Sequence, residues 1–174
     1  DEALARSNQV LIERGEGRLD AALVAVDQLL ELLTIHDHEG IAPEIQAWKA
    51  ELLARLGRLE EAEATLSESP RVEAAWPHVR VRSDLARGQA LRHMGKPEAA
   101  REALTTALES AESDGYRYFQ LRAHLSLAHV VDEENRERHT RVARGLARSL
   151  AANLAREDAD RFLRRHGLTE QAVR

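Results

Sequence analysis

The 174-residue chain has no cysteine, few aromatic residues and no long apolar run. Without cysteine it cannot form a disulfide bond, use a thiolate nucleophile or bind zinc through sulfur. No apolar run approaches the roughly 20 residues of a transmembrane helix, and no signal-peptide pattern is present. These absences agree with a cytoplasmic protein that does not enter a membrane.

Familiar catalytic and nucleotide-binding signatures are also missing. No Gly-x-Ser-x-Gly motif occurs, and Gly15-Glu16-Gly17 is not followed by the Gly-Lys-Ser of a phosphate-binding loop. The acidic pairs Glu60-Glu61 and Asp132-Glu133 stand at predicted helix starts, where negative charge complements the helix dipole. The sequence therefore predicts a protein without catalytic residues or a cofactor.

The residues that are abundant favour helix. Apolar residues, many of them alanine and leucine, make up 43% of the chain, charged residues 32% and aromatic residues 3%. Such a composition predicts an all-α fold. The net charge of −5 gives no general reason to expect nucleic acid as a partner, although residues 136–174 carry ten arginines against five acids.

One local pattern occurs three times along the chain. In each copy a glycine at a predicted turn is followed five residues later by alanine: Gly17 and Ala22, Gly57 and Ala62, Gly95 and Ala100. The glycines lie 40 and 38 residues apart. Internal periods of this size are typical of stacked helical repeats.

The third copy contains a second unusual glycine. Gly88 lies seven residues before Gly95, inside a predicted helix, where glycine costs about 1 kcal/mol relative to alanine. We expect it to permit close approach by a neighbouring helix. Ala50 occupies the matching place in the second copy, and Leu66 and Leu104 also correspond.

These residues resemble a tetratricopeptide repeat (TPR), which has small residues where its two helices touch and a glycine before its acidic, alanine-containing second helix. The resemblance covers roughly residues 3–130 and implies a right-handed α-α superhelix of about four helix pairs with a C-terminal capping helix. The period exceeds the usual repeat of about 34 residues, as in TPR-like regions of large bacterial regulators and kinases. HEAT or armadillo repeats match the period better but do not explain the Gly-x-x-x-x-Ala turn.

We expect a single domain over residues 1–174, as a piece of a larger protein. Its units should lie at about 2–35, 41–67, 77–114 and 116–154, followed by a cap at 157–166. In the last unit, helices are expected at 116–131 and 136–154, with a turn at Asp132-Glu133-Glu134-Asn135.

The resemblance also implies a concave groove lined by the first helix of each unit. By periodicity, the predicted groove residues are Glu44, Glu51, Arg82, Gln89, Arg92, Arg122 and His129. We expect the arginine end to be positive and the glutamate end negative, so that arginine binds a carboxylate or phosphate of a partner. The alternative is that these charges form salt bridges between neighbouring units or a solvated face.

The favoured function is a non-catalytic interaction module that holds a protein or peptide, as a regulatory part of a bacterial signalling or transcription protein. Three alternatives remain open. The module could instead form homodimers. The loop His36-Asp37-His38-Glu39 could bind a metal and support an enzyme, although spacing fixes no third ligand. The basic face of helix 136–148 could contact nucleic acid, although no helix-turn-helix accompanies it.

Overall fold

In the computed structural model, residues 2–35, 39–69 and 76–168 are described, and they contain nine α-helices and no strand. This confirms the predicted all-α class. A short 3₁₀ turn at Glu39–Ile41 precedes the third helix. The helices are α1 (Glu2–Gly15), α2 (Leu19–Ile35), α3 (Ala42–Arg55), α4 (Leu59–Glu68), α5 (Pro77–His93), α6 (Pro97–Ser113), α7 (Arg117–Leu127), α8 (Glu133–Ala151) and α9 (Arg156–Arg165).

The three glycine turns have one backbone structure. Gly17, Gly57 and Gly95 have positive φ angles of 77°, 78° and 72°, which glycine adopts without steric cost. Each glycine N–H donates to the carbonyl three residues earlier, at 3.3, 3.1 and 3.1 Å. The next residue donates to the carbonyl five residues earlier, so each turn closes the preceding helix in the manner of a Schellman motif.

The alanines that follow these turns are equally alike. Ala22, Ala62 and Ala100 are completely buried, and each donates its N–H to the carbonyl four residues earlier. A larger side chain at these positions would push apart the two helices of a pair. The sequence pattern therefore marks copies of one structural unit.

Gly88 permits the close helix contact expected from the sequence. A Cβ atom built on it would lie 2.5 Å from Leu104 Cγ and 3.3 Å from the Ala100 carbonyl oxygen. Since real Cβ atoms do not approach carbon so closely, the α5–α6 distance depends on glycine at this position.

Most consecutive helices pack against each other, and α5 packs against α3, α6 and α7. Apolar side chains of α1, α2 and α3 form the largest part of the core, including the completely buried Val10, Val26 and Leu29. A second part lies between α5, α6 and α7, around Leu104. At the far end, Phe162 and Leu163 of α9 pack against a cluster formed by Leu121 of α7 and Ala143 and Ala147 of α8.

The last unit differs from the prediction at its turn. Residues 133–135 are the first turn of α8, since the Asp132 carboxylate accepts a hydrogen bond from the Asn135 N–H at 3.0 Å and caps the helix. The preceding helix ends at Leu127, four residues before the predicted end. The expected turn at 132–135 is therefore wrong, whereas the placement of Asp132-Glu133 at a helix start is confirmed, since Asp132 is the N-cap and Glu133 the first residue of α8.

Among the described helices, none combines the length and the apolar character that crossing a lipid bilayer requires.

Candidate binding groove

A cavity of about 1170 Å³ opens on one side of the helix stack. Its walls come from α1, α3, α5 and α7 and from the C-terminal half of α9. The lining residues are Asn8, Leu11, Ile12, Arg14, Gly15, Glu16, Trp48, Arg82, Leu85, Ala86, Gln89, Tyr118, Phe119, Arg122, Arg161, Arg164 and Arg165.

Part of the lining is apolar. Leu11 and Ile12 of α1 are 40% and 55% exposed, although both are large aliphatic side chains. Tyr118 of α7 is also 39% exposed, while Trp48 of α3 is almost covered by its neighbours. Apolar and aromatic groups that face an open cavity are typical of binding sites, because a ligand gains free energy by covering them.

A polar network crosses the base of the cavity and joins four helices. Arg14 of α1 donates hydrogen bonds to the Glu51 carboxylate of α3 and to Gln89 Oε1 of α5, the latter at 3.0 Å. Gln89 Nε2 donates to Ser126 Oγ of α7 at 3.0 Å, and Arg122 Nη2 lies 3.5 Å from Gln89 Oε1. Because Gln89 is buried and bonded on both ends of its amide, it fixes the relative positions of these helices.

A second ion pair lies beside this network. Glu44 of α3 is almost fully buried, and its Oε1 atom lies 2.6 Å from Arg82 Nη2 of α5. Burial raises the pKa of the Glu44 carboxyl to about 7, and the charges of Arg82 and Arg14 oppose that rise. The Arg82 guanidinium also lies over the Trp48 ring, 5.4 Å from its centroid.

The C-terminal helix forms the remaining wall. Arg161, Arg164 and Arg165 of α9 line the cavity, three and four residues apart on one helix face. A Cβ on Gly15 of α1 would lie 3.3 Å from Arg165 Nη2, so this guanidinium packs against the end of α1. The Arg165 side chain of α9 therefore reaches the end of α1 at the cavity.

Next to these arginines the His166 ring is partly buried in an aromatic cluster. Its centroid lies 4.8 Å from that of Phe162 and 5.9 Å from that of Tyr118, in edge-to-face arrangements. Burial, and after it the charges of Arg122 and Arg165, together lower the pKa of His166 to about 4.

The seven predicted groove residues fall into three groups. Arg82, Gln89 and Arg122 line the cavity, whereas Arg92 and His129 are outside its lining. Glu44 and Glu51 are buried behind it and are paired with Arg82 and Arg14. Acidic and basic residues are therefore interleaved between α1, α3 and α5, which is the arrangement that the salt-bridge alternative describes.

The metal-binding alternative falls largely on residues that the structure does not describe. His36, Asp37, His38 and the side chain of Glu39 lie outside the part of the chain that the structure describes. Within ranges 2–35, 39–69 and 76–168, no three histidine, aspartate or glutamate side chains are grouped as metal ligands.

His124 and His129, near the end of α7, have different surroundings. His129 is exposed, while His124 is buried and faces His139 of α8, with 2.8 Å between the two Nδ1 atoms.

Several cavity residues were not predicted from the sequence. Arg14, Trp48 and Tyr118 have no unusual local pattern, and they meet only because α1, α3 and α7 face one space. The arginines of α9 did carry a signal, since Arg161, Arg164 and Arg165 recur at helical spacing.

The comparison with known families finds one match. Residues 85–114, from the middle of α5 to the end of α6, match the family model described as tetratricopeptide repeat. Neither the comparison with curated proteins nor that with solved structures gives a match. The matched segment contains the Gly95 turn, whose backbone the other two units repeat. This match and the nine helices of the described residues fit a TPR-like helical repeat domain.

Proposed function

We propose that the chain is a non-catalytic interaction module that holds a peptide segment of a partner protein in the cavity between α1, α5, α7 and α9. The observation that carries this proposal is the set of exposed apolar side chains on the cavity wall, above all Ile12 and Tyr118. The TPR match of residues 85–114 supports it, because such repeats typically bind proteins. The expected architecture is one domain over residues 1–174, coiled as a right-handed superhelix of about four helix pairs.

The size of the cavity supports a peptide rather than a small molecule. At about 1170 Å³ it exceeds the usual range of small-ligand pockets, about 300–1000 Å³. Its lining comes from five helices, so an extended or helical segment can contact several of them at once. As its context, the resemblance to regions of large bacterial regulators suggests a regulatory part of a signalling or transcription protein.

Selection of peptides from a random display library tests this function. Peptides selected on the chain should lose binding to the variant Ile12→Arg, which places a charged side chain in the cavity. Val142→Arg is the matched control, because Val142 is an exposed aliphatic residue of α8 outside the cavity lining. Peptides that bind the unchanged chain, Ile12→Arg and Val142→Arg equally would show that the cavity is not the binding site.

A second candidate function is homodimerisation. Val24 and Ile35 are 58% and 67% exposed, and their spacing of eleven residues places them on one face of α2. Light scattering over a range of concentrations tests it, since a dimer formed through this face should dissociate in the variant Ile35→Arg. A concentration-independent monomer mass would exclude it.

A further inference from the structure

Three arginines of the cavity have no carboxylate partner among the residues that the structure describes: Arg122, Arg164 and Arg165. The other cavity arginines are already matched, Arg14 with Glu51, Arg82 with Glu44 and Arg161 with Asp158. The one carboxylate in the described lining, Glu16, is itself paired with Arg18. The wall formed by α7 and α9 therefore carries positive charge that no carboxylate within residues 2–35, 39–69 and 76–168 neutralises.

The environment of His166 agrees with this positive potential. Its ring follows α9 directly and feels the charges of both Arg122 and Arg165. Since its pKa is about 4, the ring is uncharged near neutral pH and adds no further positive charge. The same two guanidiniums that disfavour a protonated imidazole would favour an anion in the cavity.

Apolar surface lies beside the three arginines. Tyr118 is one turn before Arg122 on α7, and Leu85 and Phe119 also line the cavity. Arginine forks bind carboxylates through two parallel hydrogen bonds, and neighbouring aromatic rings can bury an aliphatic side chain. A ligand that uses both surfaces must alternate acidic and apolar groups.

Resting on the peptide-binding function proposed above, we propose that the cavity selects an acidic peptide segment. Its carboxylates are bound by Arg122, Arg164 and Arg165, and its apolar side chains cover the exposed Tyr118 and the half-buried Phe119. The helix α9 is then part of the binding site and not only the cap of the repeat array.

The charge distribution favours a peptide over a nucleic acid. Outside residues 136–174 the chain has a net charge of −10, so a phosphate backbone extending beyond the cavity would be repelled. A peptide can confine its negative charge to the side chains that enter the cavity. Tighter binding of single-stranded DNA than of an acidic peptide is therefore the result that would contradict this choice.

Binding can be followed in the full chain with Trp76→Phe, which leaves Trp48 on the cavity wall as the single tryptophan. The probes are three short peptides of one length, made of glutamate and leucine, glutamine and leucine, or lysine and leucine, together with oligothymidine. Titration calorimetry gives an affinity that does not depend on the Trp48 signal.

We expect the glutamate peptide to bind at least about tenfold more tightly than the glutamine peptide, and the lysine peptide not to bind. The double variant Arg164→Glu/Arg165→Glu should weaken binding of the glutamate peptide by about tenfold or more. Added salt should weaken binding of this peptide as well. Arg156→Glu is the matched control, because Arg156 lies on the same helix outside the cavity lining and should leave binding unchanged.

Equal binding of the glutamate and glutamine peptides, with no effect of the double variant, would overturn the acidic selectivity and leave peptide binding intact. Preference for oligothymidine over the glutamate peptide would overturn the assignment of a peptide ligand. If none of the peptides binds, and library selection also yields no peptide sensitive to Ile12→Arg, both proposals fail. Circular dichroism melting of each variant separates lost binding from lost folding.

Discussion

Glu44 and Arg82 form a buried ion pair between α3 and α5, with 2.6 Å between the carboxylate oxygen and the guanidinium nitrogen. Periodicity placed these residues at opposite ends of a groove, one negative and one positive. They meet because α3 and α5 are direct neighbours in the stack. The pair therefore contributes to the contact between units, and the arginines that remain for a ligand lie elsewhere.

Replacing Arg82 with methionine should destabilise the fold in a pH-dependent way. The folded state already favours the protonated form of Glu44, whose pKa is about 7, so this carboxyl reduces stability as pH rises from its unfolded pKa toward 7. Removing Arg82 removes a charge that lowers this pKa. We expect a loss of about 1–3 kcal/mol at pH 8, and a smaller loss at pH 5.

Urea unfolding at the two pH values measures this effect. Arg80→Met is the control, because Arg80 is exposed on the same helix and should change the free energy of unfolding little. Adding Glu44→Gln to Arg82→Met should remove the pH dependence. An equal loss at pH 5 and pH 8 would contradict the role assigned to the Glu44 carboxyl.

Replacing Gly88 with alanine should destabilise the fold although alanine is the better helix former. The added methyl would clash with the Leu104 side chain of α6, at 2.5 Å, and overpacking of this kind costs about 1–3 kcal/mol. The same change at Gly145 meets no atom within 4 Å and should stabilise α8 by about 0.5–1 kcal/mol. Melting temperatures that change in the same direction in Gly88→Ala and Gly145→Ala would refute this account.

The pair His124–His139 should make stability fall as the solution is acidified. Burial, and after it the charges of His139 and Arg138, together lower the pKa of His124 to about 4. The unfolded chain binds this proton below about pH 6.5, so stability is complete above that pH and decreases toward pH 4. Burial and Arg138 also lower the pKa of His139, which acts in the same direction.

The variant His124→Gln isolates this contribution. Between pH 6.5 and 4 it should reduce the slope of unfolding free energy against pH by up to about 1.4 kcal/mol per pH unit. Titration of Glu44 gives a slope of unfolding free energy against pH with the opposite sign. The comparison of His124 with His124→Gln should therefore be made in chains that both carry Glu44→Gln. Identical slopes would mean that the proton of His124 is not linked to folding.

Gln89 offers a way to separate stability from binding. In Gln89→Glu the new carboxylate should accept hydrogen bonds from Arg14 and Arg122, so the melting temperature should not fall. The same carboxylate should nevertheless weaken binding of an acidic peptide, because it neutralises Arg122. Gln89→Leu leaves Arg14 and Ser126 without this partner and should cost about 1–3 kcal/mol. Unchanged peptide affinity in Gln89→Glu would count against the role of Arg122.

The repeated unit could be predicted in some detail from the sequence. Gly17, Gly57 and Gly95 adopt one turn, and Gly88 permits the close contact expected of it, because turn conformation and helix spacing depend on a few small residues. The start of α8 was misplaced because Asp132 suits both a turn and a helix cap, and local sequence does not separate the two.

The candidate site was only partly predictable. Arg82, Gln89 and Arg122 were found because repeat periodicity places them on the inner face of their helices. Arg14 and the arginines of α9 were missed, since periodicity within a unit does not tell which helices of distant units come together.

The sequence by itself determined the helices, their turns and the small residues at which they touch, since these depend on interactions between residues near one another in the chain. Only the tertiary structure decided which charges are neutralised. Glu44 and Glu51 are separated by many residues from Arg82 and Arg14, and packing of α1, α3 and α5 brings them together. The cavity arginines without a carboxylate partner in the described part of the chain follow from that same packing, because α9 adds its positive face beside Glu44 and Glu51, which Arg82 and Arg14 already neutralise.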